Sequence, residues 1–356
     1  VNDLYRLLVG LIKADGPMSL ARYMELCLGH PRFGYYMTRD PFGQTGDFIT
    51  APEISQMFGE LVGIWCADTW FKMGSPSPCA LVELGPGRGT LMVDALRAIC
   101  KVPGMAEALS VTLVETSPIL RQTQKKALLE AGFTIEWAES VFDLPKTPVL
   151  LIANEFLDAL PIHQFIRTDK GWHERVIGLN ENDQLCFGLS PEPINGFDKN
   201  APIGSIFEDA RISASIIEQV ALHFKIYNGA ALMVDYGNSK SGFGDTFQAV
   251  KAHGFVDPLA LPGEADLTTH VDFEGICQIA RGSGVAVSGP TTQRDFLLAL
   301  GLSERASKLA EKGSDEQRLA IRGQFDRLTS TSETGMGKLF KVIAIHHPQL
   351  HDLAGF

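Results

Sequence analysis

Short unbroken apolar runs alternate with amphipathic stretches through the middle of the chain. Ala80–Glu83, Val111–Glu115 and Val149–Asn154 are the runs, and helical spacing lies between them, one stretch reaching Cys100 and the next Ala131. Strands buried on both faces of a parallel sheet read as continuous Val, Leu and Ile, and the intervening helices carry the chain back across the sheet. The pattern therefore predicts an α/β fold with a doubly wound, mostly parallel sheet. Trp172–Leu179 and Gln184–Leu189 flank an Asn-Glu-Asn-Asp turn and predict a hairpin inserted at about 171–190. A helix over Phe207–Tyr227 and a strand at Ala230–Asp235 resume the rhythm. Helices follow near Phe273–Arg281, Gln293–Leu300, Ser303–Glu311 and Glu316–Leu328, with Thr292 and Asp295 forming a helix-start pair. A last apolar strand, Leu339–Ile345, is placed to close the sheet at its edge.

Before that core the pattern is helical. Leu4, Leu7, Leu8, Leu11 and Ile12 make an amphipathic stripe, and Met57, Phe58, Leu61, Ile64, Trp65 and Thr69 another. Between them Arg39–Pro52 is rich in Gly, Pro and Asp, which predicts a long ordered loop or lid. The breaker Gly74–Pro78 ends this part. Three regions are expected: an N-terminal helical and lid segment (1–78), the α/β core with its hairpin (79–238), and a helical elaboration with final strands that complete the core (239–356).

Composition narrows the function. A chain of 356 residues, 45% of them hydrophobic, has ample material for a large core. A formal charge of −11 disfavours a sequence-independent grip on nucleic acid, which relies on Lys and Arg displacing counterions. The six cysteines are scattered with no C-x-x-C pair, so they are expected to be plain thiols, and no metal is expected. No apolar run approaches the ~20 residues of a membrane span, and the first residues do not form a secretory signal. A cytoplasmic location is expected, or the mitochondrial matrix if a leader has been removed.

Val82–Thr90 reads VELGPGRGT and sets Gly85, Pro86, Gly87 and Gly89 between a buried strand and a helix. Only a bend without side chains lets a ligand approach the backbone so closely. A dinucleotide fingerprint wants a third glycine at position 90, which is threonine, and Glu83 at the strand tip would repel a pyrophosphate while accepting from an ammonium group. This E-x-G-x-G-x-G run resembles motif I of class I S-adenosylmethionine-dependent methyltransferases. Glu115, at the end of the second strand, is placed to accept from ribose hydroxyls; alone it is equally a solvated strand end. After the fourth strand, NEFLDALPIHQ packs Asn154, Glu155 and Asp158 into five positions, either a substrate-holding segment or a capped turn.

With these residues the sequence resembles the MidA family, bacterial and mitochondrial methyltransferases that include a complex I assembly factor. The likeness runs through MELCLGHPRFGYY, GDFITAPEISQMFGE, VELGPGRGT, VETSPILRQTQ, NEFLDALPIHQF, VDYG, DLTTHVDF and MGKLFKVIA. The resemblance implies a Rossmann-like class I methyltransferase core with extra helices, S-adenosylmethionine as cofactor, and a protein substrate methylated on arginine, a complex I core subunit or a bacterial equivalent. It also implies that Gly46, Asp47, Thr50 and Glu53 fold over the cofactor, and that Gly85, Pro86, Gly87, Glu115 and Ser117 belong to its binding loops. Methyl transfer needs donor and acceptor held together away from water, and a guanidinium acceptor needs carboxylates to orient it and take its proton. Glu155 and Asp158 are the first candidates, beside Asn154; Asp235 and Asp47 are the second. Two rival classes remain at this stage: a nicotinamide oxidoreductase, and an assembly factor that keeps the pocket with little catalysis.

Overall fold

A computed structural model describes residues 2–39, 41, 50–197, 200–311, 313–332 and 335–356. Packing divides the chain into two compact units that do not follow sequence order. One gathers Val1–Phe48, Asp158–Ser215 and Ser241–His270; the other gathers Ile49–Leu157, Ile216–Lys240 and Val271–Phe356.

The second unit is the α/β core. In chain order its strands are β1 (Cys79–Leu84), β2 (Leu109–Val114), β3 (Glu136–Ala138), β4 (Val149–Asn154), β5 (Gly229–Asn238), β6 (Val271–Asp272), β7 (Ala286–Thr292) and β8 (Phe340–His346). Their order across the sheet is β7-β8-β5-β4-β1-β2-β3, with β6 alongside the end of β5. The pairs β3-β2, β2-β1, β1-β4 and β4-β5 are parallel, whereas β8 runs antiparallel to both β5 and β7. All six residues of β1 and all six of β4 are buried, as their unbroken apolar runs require. Each such Leu, Ile or Val contributes about 1.5–3 kcal/mol relative to exposure. The order reverses between β1 and β4, and in open α/β sheets that switch point opens the ligand crevice at the strands' carboxyl ends.

Three helices of this unit matter for that crevice: α1 (Gln56–Lys72), α2 (Thr90–Ile99) and α3 (Pro118–Glu130). α1 is buried around most of its girth, and Gly59 and Gly63 let it lie against α2. A Cβ at Gly63 would sit 2.4 Å from the Ala95 carbonyl, and one at Gly59 2.6 Å from the Asp94 Cβ. Buried Glu60 ties the pair to the C-terminal helices through a two-pronged contact with Arg305 at 2.6 and 2.9 Å.

The first unit is antiparallel. Gly171–Leu179 sits between Met18–Ser19 and His163–Thr168, the latter pairs with Ile206–Asp209, and Leu185–Leu189 also pairs with Gly171–Leu179. A smaller sheet places Gln248–Lys251 between Gly254–Val256 and Asp266–Thr268. Leu4, Leu8, Leu20, Tyr23, Tyr35 and Phe247 are among the side chains of its core.

Two expectations are corrected. The hairpin at about 171–190 forms, Gly171–Leu179 pairing with Leu185–Leu189, within a larger sheet in which His163–Thr168 pairs with Gly171–Leu179 and with Ile206–Asp209. The latter pairing takes the start of the expected Phe207–Tyr227 helix, which begins instead at Arg211. The last strand does not form the edge: β7 covers it, and its Gly289-Pro290 step, where the register shifts, suits an outer strand better than an inner one. Among the described residues no helix is long and apolar enough to cross a membrane.

Candidate functional site

The bend after β1 is built from residues lacking side chains. Gly85, Gly87 and Gly89 all lie in the left-handed region, with φ of 59°, 53° and 83°. A Cβ at Gly85 would stand 2.9 Å from the Phe156 ring. The Gly85 amide donates to the Val114 carbonyl at 3.1 Å and the Gly89 amide to Pro86 at 2.8 Å, so the backbone itself fixes the curve. Gly89 caps α2 without a side-chain bond.

Two acceptors face one way beside this bend. Glu83 shares its strand face with Leu81 and Cys79, and Asn154 with Ile152 and Leu150, and these apolar neighbours belong to the same core. The register pairs Glu83 with Ile152, so Asn154 lies two residues further along the neighbouring strand, on the same face. Glu83 is 2% exposed and Asn154 9%. Glu83 Oε2 and Asn154 Oδ1 are buried without a hydrogen-bond partner. Burial pushes the Glu83 carboxyl up to about 8. A buried acid and a buried amide oxygen left unmet in a native core call for a donor, preferably a cationic one.

Glu115 follows β2. Its Oε1 accepts from the amides of Thr116 (2.8 Å) and Ser117 (2.7 Å), and its Oε2 from Gln124 at 3.2 Å. Burial raises its pKa, and those bonds from Ser117, Gln124 and Thr116 work against the rise. Ser117 also caps α3 by accepting from Leu120.

The turn after β4 is made differently. Glu155 has φ of 49°, a left-handed backbone carrying a full side chain. Asp235, 1% exposed at the end of β5, holds that turn: its Oδ2 accepts from the amides of Phe156 (3.1 Å) and Leu157 (2.9 Å), its Oδ1 from Tyr236 (3.0 Å). The Glu155 amide donates to Val234 at 2.9 Å. Glu155 Oε1 accepts from Asn154 Nδ2 at 3.2 Å and from the Ala51 amide at 3.4 Å.

The segment around Thr50 is fastened to the glycine bend. Thr50 precedes a short helix, Ala51–Ile54, and Glu53 accepts from the Thr90 hydroxyl at 2.5 Å while pairing with Arg88 at 3.7 Å. Gly46 and Asp47 lie outside the described residues. Asp158 belongs to the first unit, where its carbonyl accepts from Thr269 at 3.0 Å. There, burial and then the charges of Asp266 and Asp158 raise the Tyr36 hydroxyl, which donates to Asp266 at 2.7 Å.

The core unit thus brings together Thr50, Glu53, Glu83, Gly85, Pro86, Gly87, Gly89, Glu115, Ser117, Asn154, Glu155 and Asp235 on the carboxyl side of its parallel strands. Sequence reasoning did not single out Gln124, Arg121 or Phe156. Ser117, Arg121 and Gln124 recur at i, i+4 and i+7, and a polar stripe on the helix face that should be buried was the available signal.

Comparison with known proteins agrees with this geometry. The family model for S-adenosyl-L-methionine-dependent methyltransferases matches residues 61–291. The chain belongs to that family. It is 37% identical over 373 residues to the mitochondrial protein arginine methyltransferase NDUFAF7 of Xenopus tropicalis, covering 97% of this chain and 86% of the relative. To the human protein of that name it is 35% identical over 372 residues, covering 97% and 83%. A Burkholderia thailandensis structure with S-adenosyl-homocysteine bound superposes with a TM-score of 0.85 at 26% identity, covering 99% of this chain and 93% of the other. S-adenosylmethionine is accordingly the cofactor of this methyltransferase, and the nicotinamide alternative falls.

Proposed function

We propose that this methyltransferase modifies an arginine side chain of a protein, a core subunit of respiratory complex I or its bacterial equivalent. The observation that carries the cofactor half is the pair of unmet buried acceptors, Glu83 Oε2 and Asn154 Oδ1, beside a bend of three left-handed glycines. An ammonium group suits that pair, and a phosphate does not. In this reading Gly85, Pro86, Gly87 and Gly89 give the ligand room against the backbone, Glu115 accepts from ribose hydroxyls, and Ser117 caps the helix that follows. Thr50 and Glu53, the latter tied to Thr90, close the same end of the bend, and Gly46 and Asp47 are assigned to that segment by resemblance alone. The arginine half is supported by the relatives' names and by Glu155.

Bound S-adenosylmethionine supplies a methyl carbon on a positively charged sulfur. The protein's part is to orient the acceptor and manage its proton. A guanidinium stays protonated in water, so its nitrogen becomes nucleophilic only as a proton leaves. Glu155, whose Oε1 is oriented by Asn154 and Ala51, draws the guanidinium charge toward itself and takes the proton lost as the nitrogen is methylated. Asp235 holds the turn that presents Glu155. Asp158 is retained as a second acidic candidate. The matrix is the expected compartment for a eukaryotic source, after the relatives' names, and the cytoplasm for a bacterial one.

The test is incubation of the purified chain with S-adenosylmethionine labelled in its methyl group and isolated complex I core subunits. Label on arginine in one subunit is expected. Label confined to lysine or to small molecules overturns the arginine reading while leaving the cofactor assignment intact.

A further inference from the structure

We infer that Gln124 is a positioning residue that sets the enzyme's demand for a vicinal diol on its cofactor. The inference rests on the proposed role of Glu115 toward ribose. Gln124 is fully buried on α3. Its Nε2 donates to the Gly87 carbonyl at 2.8 Å and to Glu115 Oε2 at 3.2 Å, and its Oε1 accepts from the Trp137 indole at 2.9 Å. The indole N–H only donates and the Gly87 carbonyl only accepts, so the amide has one orientation. One side chain thereby joins the glycine bend after β1, the acid after β2 and the tryptophan of β3.

The rest of the helix face serves the same turn. Arg121, one turn earlier, donates to the Glu115 carbonyl from Nε at 2.7 Å and from Nη2 at 2.5 Å.

The consequence lies in the carboxylate plane. With Oε1 held by two backbone amides and Oε2 by Gln124, Glu115 cannot rotate without losing bonds. A carboxylate fixed in one plane presents its remaining acceptor directions to neighbouring hydroxyls in a set geometry. Without Gln124, Oε2 swings and that geometry is lost, although the acid remains.

Calorimetric titration of the full chain with S-adenosylhomocysteine and with its 2′,3′-dideoxy analogue tests this. Wild-type protein is expected to prefer the diol by about tenfold or more, the scale of a hydrogen bond to a charged group. Gln124→Met keeps the volume, and the preference should fall to about threefold or less. Trp137→Phe removes the indole donor while keeping an aromatic ring and should lower the preference about twofold, which keeps the test decisive if the methionine variant does not fold. A residue that merely stabilises the fold would weaken both ligands equally, so an unchanged ratio in the folded variants overturns the role. Failure of wild-type protein to bind either ligand overturns the cofactor site itself, and the role with it.

Discussion

Two bends stand at the carboxyl ends of neighbouring strands β1 and β4, and they are made in opposite ways. The first reaches its left-handed backbone by omitting side chains at Gly85, Gly87 and Gly89. The second forces the same backbone region on Glu155 and compensates through Asp235, which binds the amides of the next two residues. Left-handed backbone costs an ordinary L-residue roughly 1–2 kcal/mol and glycine almost nothing. A bend that must admit a ligand against its backbone gains by being bare. One that must aim a carboxylate cannot be bare, so its strain is held from outside.

The largest expected effect follows from removing what the second bend aims. Glu155→Ala should leave S-adenosylhomocysteine binding near normal while methyl incorporation falls by about 10²–10⁴-fold, the usual scale of acid–base help. Turnover unchanged in a labelled-methyl assay excludes the role. Glu155→Gly sharpens the comparison. It should be as inactive yet within about 1 kcal/mol of wild-type stability, since relieved strain offsets added freedom of the unfolded chain.

Placing a side chain on the first bend comes next. Gly85→Ala meets both the left-handed backbone and the Phe156 ring 2.9 Å away, and S-adenosylhomocysteine affinity should drop by about 30–100-fold. Phe156→Ala added to it should recover part of that loss. If the double variant binds no better than Gly85→Ala, the ring is not what excludes a methyl there. Asp235→Asn follows, because an amide can no longer accept on both oxygens. A loss of about 1–3 kcal/mol in urea unfolding is expected. Wild-type stability would show that the turn does not need the clamp.

The contrast also explains what could be read from the sequence. The bare bend announces itself, because glycine spacing after an apolar run is a local signal. The buried strands do too: Val149–Asn154 is predicted with the bounds it has, and β1, β2 and β5 differ from expectation only at their ends. The second bend is different. Asn154, Glu155 and Asp235 were legible as polar residues at strand ends, but the bonds from Asp235 to Phe156 and Leu157 span 79 and 78 residues. No local pattern encodes them. The Gln124 contact with Gly87 spans 37 residues and was hidden the same way. In the first unit, His163–Thr168 and Ile206–Asp209 carry charged residues and are short, and long-range pairing, with each other and of the former with Gly171–Leu179, makes them strands. Gly46 and Asp47 lie outside the described residues.

The smallest expected effect is also the one that ties the bare bend to charge. Glu83 sits with its folded pKa raised to about 8 by burial, so at neutral pH the ligand-free protein holds it mostly protonated. The unfolded chain ionises it in the ordinary carboxylate range. Stability from this group is therefore complete at acidic pH, declines as pH climbs toward about 8, and changes no further above that. A bound ammonium favours the ionised form, so binding must expel the proton below about pH 8. S-adenosylhomocysteine affinity should consequently rise severalfold from pH 7 to 8, approaching but not exceeding about tenfold per pH unit at lower pH, and then level off. Glu83→Gln should bind more weakly above pH 8 and show a flatter profile below it. A wild-type profile as flat as that of the variant would mean that Glu83 does not meet the ammonium, leaving Asn154 Oδ1 as the acceptor beside the bend.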